Sequence, residues 1–144
     1  MDSPLRNILV GIGPGGSPRA LEAAAALAVR ENARLTVLAA VARPSSFLYA
    51  APIALPFDAQ HAAHEECTER LHAAVGQLPA DVSVTALRRS GPPRAALLAE
   101  LRDGAYDLVI VGSGRVARTL QRRSATPVLV AVEVPVPELV AVGA

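Results

Sequence analysis

The sequence predicts an α/β fold built on a single five-stranded parallel sheet with helices on both faces. Three observations predict it. Short runs of strand formers alternate with helical segments along the chain, the pattern of parallel strands joined by crossover helices. The run "DLVIV" is apolar at every position after its aspartate, as a strand buried on both faces must be. The chain has 144 residues, 51% of them hydrophobic, enough for one core of moderate size. Residues 1–144 are therefore expected to form one domain, without internal repeat or dividing linker.

The elements follow in order. "NILVGIG" (7–13) is a first strand ending at glycine. "SPRALEAAAALAVREN" (17–32) is a helix, with Ser17 as N-cap, Pro18 at the first helical position and Asn32 as its stop. Leu21, Ala24, Ala25 and Ala28 share one face at helical spacing. "RLTVLAAVA" (34–42) is a second strand. The stretch 43–60 holds three prolines and most of the aromatics, including Phe47 and Tyr49. It is expected to be a long apolar loop that serves as a contact surface or lid. A second helix spans 59–78 and a third strand 81–91. A third helix covers 93–104 and stops at Gly104. A fourth strand covers 107–114, a short helix 115–124 and a fifth strand 127–134, which leaves a C-terminal tail at 133–144.

The bulk numbers exclude several classes. Net charge is +1, so nothing in the total calls for nucleic acid or an anionic membrane. Every basic residue is arginine, which removes Schiff-base and lysine phosphate-loop chemistry. Cys67 is alone, so no internal disulfide forms and a reducing compartment is expected. The N-terminus lacks the basic and apolar regions of a signal peptide, and no run of about 18 apolar residues exists. The expectation is a cytoplasmic protein with no membrane segment.

Taken in order, "ILVGIG…GSPRALEAAAALA", Gly91 after strand three and "YDLVIVGSGR…TPVLV" resemble the universal stress protein family over nearly the whole chain. The resemblance implies strand order 3-2-1-4-5, the adenine nucleotide alpha hydrolase-like arrangement. It implies frequent homodimers and, in one branch, ATP binding. That branch has an aspartate straight after strand one, where Gly13 stands here; no carboxylate lies between strand one and Glu22. It also has a glycine-rich phosphate loop after strand four. Gly112, Ser113 and Gly114 match its opening, and the rest of the loop is missing before the helix at 115.

Gly112-Ser113-Gly114 thus has two readings, a phosphate cradle or a strand-to-helix turn with Ser113 as N-cap, and the turn is favoured. Gly11, Gly13, Gly112, Ser113, Gly114 and Arg115 are the candidate residues of a vestigial cofactor crevice beyond the strand ends. No cofactor is expected; ATP held by backbone groups of the two glycine turns is the alternative. "GIGPGG" matches the dinucleotide spacing G-x-G-x-x-G, but no ribose-binding acid follows about 20 residues later.

His61, His64 and Cys67 form an H-x-x-H-x-x-C array. Helical geometry turns Cys67 into the apolar face of Ala63, Leu71, Ala74 and Leu78, and His61 about 120° away, so no metal site is expected. Arg115, Arg118, Arg122 and Arg123 are read as a solvated basic face with no nucleic-acid role, and Arg88 and Arg89 likewise. Ser113 lacks the G-x-S-x-G context of a hydrolase nucleophile, and no acid–base pair stands out, so no catalytic residue is named. The expected protein is a non-catalytic regulatory or interaction module. It is expected to dimerise through the last strand and the tail, with a protein partner at 43–60. A small enzyme acting on an acidic metabolite in the same crevice is a further alternative.

Overall fold

The structure, a computed structural model, describes residues 5–13, 17–41 and 57–131. The loop expected before Phe57 and the C-terminal tail lie outside the described residues. In chain order the elements are β1 (Asn7–Ile12), α1 (Pro18–Glu31), β2 (Arg34–Val41), α2 (Phe57–Gly76), β3 (Val84–Ser90), α3 (Pro93–Asp103), β4 (Leu108–Val111), α4 (Gly114–Arg123) and β5 (Val128–Val130). The strands form one sheet in the order β3-β2-β1-β4-β5, and every pairing is parallel.

The chain starts near the middle of the sheet, walks outward to β3, crosses back over β1 to β4 and finishes at β5. Crossovers of one hand then put α1 and α2 on one face and α3 and α4 on the other. Two cores result. Ile8, Val10, Leu35, Val37 and Ile110 pack under α1 and α2. Leu9, Leu38, Val109 and Val111 pack under α3 and α4. The inner strands are covered on both sides, which is why they are apolar at successive positions.

α1 sits close to the sheet because its buried positions are Ala20, Leu21, Ala24 and Ala28. Ala20 replaces the expected Ala25 on that face, because 20, 24 and 28 fall in one i, i+4 row. Asn32 ends the helix in the left-handed conformation, φ 52° and ψ 45°. Ser17 stands at the N-cap position but does not cap. α2 starts at Phe57, two residues before the helix start read from the sequence at 59, since no proline follows Pro56 to interrupt it. β3 starts at Val84 because Val82 is held in a turn by its N–H donating to the Pro79 carbonyl at 3.2 Å.

Two polar devices fasten the sheet ends. Asp107 accepts from the backbone N–H groups of Arg6 and Asn7, at 2.8 and 2.9 Å, which ties the start of β1 to β4. Those two bonds hold its carboxyl below the usual range. On the α3 face, Arg89 of edge strand β3 donates through Nε to Glu100 at 2.9 Å and through an amino nitrogen to Asp103 at 2.8 Å. Tyr106 donates to the other Glu100 oxygen at 2.6 Å. Glu100 is the buried charged residue among the described ones, and this network satisfies both its oxygens. Gly104 stops α3 in extended backbone rather than in the left-handed region. Glycine is needed there because a Cβ would lie 2.6 Å from the Tyr106 ring.

Candidate functional site

β1 and β4 are neighbours whose following helices leave toward opposite faces of the sheet, so a crevice opens beyond their carboxyl ends. It has a volume of about 290 Å³. Its floor is Gly11–Gly13 and Val111–Ser113, and its walls are Ser17, Leu38, Ala40, Pro93, Leu97 and Val116. The sequence-predicted residues Gly11, Gly13, Gly112 and Ser113 are brought together here. Gly114 and Arg115 are not among the lining residues; both are exposed on α4.

Each turn has a physical reason. Gly11 lets α3 approach β1, since a Cβ there would stand 3.0 Å from a Leu97 methyl. Ser17 is held at φ 129°, a strained conformation for a residue with a side chain. Its Oγ turns back from α1 and accepts from the Gly13 N–H at 3.3 Å. A Cβ on Gly112 would touch that hydroxyl at 3.4 Å, so the glycine keeps the floor open between the two turns. Ser113 is extended, and its Oγ accepts from the Val116 N–H at 3.4 Å. Gly112 and Ser113 connect β4 to α4, with Ser113 as the N-cap of α4.

The electrostatics of the crevice are plain. Among the described residues no lining residue is ionisable, and the side-chain polar groups of that lining are the hydroxyls of Ser17 and Ser113. What it offers a ligand is backbone and apolar surface. The walls from Leu38, Ala40 and Leu97 were not legible in the sequence, because those residues look like any other core positions on β2 and α3. A smaller cleft of about 190 Å³ lies on the opposite face between α1 and α2, with Arg70 in its wall.

The other candidates are separated. Cys67 is buried in the α1–α2 core with Sγ 3.7 Å from the Ala39 carbonyl, whereas His61 and His64 are exposed. His61 Nε2 pairs instead with Glu65 at 3.0 Å. Burial pushes the Cys67 thiol up, with Arg70 and Arg88 pulling weakly the other way. A protonated, buried thiol is a poor metal ligand. Among the described residues no group of three or more His, Cys, Asp or Glu could hold a metal ion. The histidines all lie on α2, on the far face of the sheet from Ser113. Among the described residues no helix is long and apolar enough to cross a membrane.

Comparison with known proteins agrees with this geometry. The model of the universal stress protein family matches residues 4–136. No curated protein sequence matches significantly. Among solved structures, a universal stress protein family member from Burkholderia pseudomallei superposes with a TM-score of 0.75 at 25% identity, over 94% of this chain and all (100%) of its own. A universal stress protein solved in complex with cAMP gives 0.59 at 24% identity, over 90% of this chain and 98% of its own. An Arabidopsis thaliana family protein with AMP bound gives 0.66 at 20% identity, over 90% and 93%.

Proposed function

The chain belongs to the universal stress protein family, and from that premise we propose that it is a non-catalytic regulatory or interaction module whose crevice no longer holds ATP. One observation carries the reading. β4 ends at Val111 and α4 begins at Gly114, so the connection that would have to wrap a triphosphate is two residues, Gly112 and Ser113. Binding three phosphates takes a row of free backbone N–H groups. Here the Ser113 hydroxyl already occupies the Val116 N–H. Among the described residues the crevice also has no carboxylate for the base side and no acid–base pair for chemistry.

Each lost charge-assisted hydrogen bond costs about 1.5–3 kcal/mol. Losing two or three weakens a micromolar site to about millimolar or beyond. Calorimetry with ATP and magnesium is therefore expected to show no saturable heat at tens of micromolar protein. A dissociation constant below about 50 µM would overturn the reading. It would promote the alternative, suggested by the AMP- and cAMP-bound relatives, in which backbone groups of both glycine turns hold a nucleotide. The uncharged lining among the described residues argues against a small enzyme for an acidic metabolite.

The same reading includes a homodimer through β5, a sheet edge whose Leu129 is 40% exposed. Edge strands invite pairing, and two-fold symmetry makes that pairing antiparallel. The Ala131 N–H donates inward to Val111, so by alternation Val130 turns its own N–H outward. Val130→Pro is then expected to leave the β4 ladder intact and convert a dimer to a monomer in sedimentation. A monomeric wild type at micromolar concentration, or a folded dimeric variant, would end the dimer proposal.

A further inference from the structure

Charge is segregated between the two helical layers. The chain carries 14 basic and 13 acidic residues, yet Arg115, Arg118, Arg122 and Arg123 share residues 108–131 with no acid at all. All four are exposed, and among the described residues none makes an ion pair or a side-chain hydrogen bond. The neighbouring α3 adds the exposed Arg94 and Arg102, while its two acids are both engaged by Arg89. The opposite layer has the reverse balance: α1 and α2 together carry six acids against three arginines.

On α4 the arginines are ordered. Arg115, Arg118 and Arg122 fall within an arc of about 60° at 100° per residue, and that arc points directly away from the buried Ala117 and Leu120. They make a straight stripe about 10 Å long, with rises of about 4.5 and 6 Å between successive guanidinium-bearing residues. A partner helix with carboxylates at every third or fourth position presents the same intervals. Guanidinium forks pair with carboxylates bidentately, which a point-charge ammonium does not.

We propose that the outer face of α4, flanked by α3, docks a short acidic helical segment of a partner protein. Nucleic acid fits less well. Neither helix carries an aromatic side chain for stacking. A long polyanion would also meet the acidic layer, and the net charge of +1 gives it little long-range attraction. A short segment meets the basic face alone.

The proposal names the partner class for the interaction-module reading and rests on it. The ATP titration probes the crevice and this test probes the α4 surface, so the two can fail separately. The probe is a labelled Ala/Glu helical peptide of about 16 residues with glutamate at every third or fourth position, followed by fluorescence anisotropy in low salt. Saturable binding is expected, weakened by added salt. It should fall about tenfold when Arg115, Arg118 and Arg122 are all changed to Gln. Changing Arg30 and Arg70 to Gln on the other layer should leave it unchanged. Arg118→Glu repeats the test with one exposed substitution, and circular dichroism checks that each variant is folded. No binding, equal binding by the stripe variants and wild type, or tighter binding of a DNA duplex than of the peptide would each overturn the proposal.

Discussion

Arg89→Ala is expected to destabilise the protein by about 3 kcal/mol, the largest loss foreseen for any substitution outside the apolar core. The reason lies in what it leaves behind. The Glu100 side chain is only 11% exposed, and its Oε1 is neutralised by an Arg89 nitrogen at 2.8 Å. Without the guanidinium the buried carboxylate keeps only the Tyr106 hydroxyl of this network and has no opposite charge beside it. Asp103, being exposed, loses far less. Replacing both partners, Arg89→Leu with Glu100→Leu, is expected to recover part of the loss, because removing a buried pair together is often close to neutral while the Tyr106 hydroxyl loses its Glu100 acceptor. Urea denaturation measures all three proteins. An Arg89→Ala midpoint equal to wild type would show that the pair contributes nothing.

Tyr106→Phe is expected to cost about 1–3 kcal/mol, by stripping the second Glu100 oxygen of its donor at a partly buried site. It should also change the response to alkali. Burial, followed by the bond to Glu100, pushes the Tyr106 phenol up to about 12. An unfolded tyrosine ionises near 10. The folded state therefore keeps a proton that the unfolded state releases, and stability falls as pH rises between those values. The contribution is fully present below about pH 10 and lost as pH passes about 12. Denaturation midpoints taken from pH 8 to pH 12 should fall more steeply for wild type than for Tyr106→Phe. Parallel curves would show that this phenol does not titrate with folding.

How much of this was legible in the sequence can be judged element by element. The inner strands were, because a strand covered on both faces has to be apolar at successive positions, as "LVIV" is at Leu108–Val111. The stop at Asn32 was, because few residues tolerate the left-handed conformation that ends a helix. Ser113 as the cap of α4 was, because an extended serine before a helix can reach the N–H three residues on. The shortness of the 112–113 connection was also there to be read, and it is the feature on which the functional proposal depends.

Other features needed the third dimension. Glu100 and Arg89 look like solvated charges, since nothing in "LLAELRD" or "ALRRS" says that one element packs on the other. Gly11 reads as a glycine of a phosphate turn, yet what calls for it is a Leu97 methyl 86 positions away in the chain. Ser17 reads as a cap, yet its hydroxyl serves Gly13 instead. By itself the sequence determined the period of each element and the places where the chain must turn, because periodicity and backbone preference are local properties. Only the tertiary structure decided which polar groups meet and which glycines mark close approaches. Those depend on distances between segments that parallel crossovers bring together from far apart in the chain.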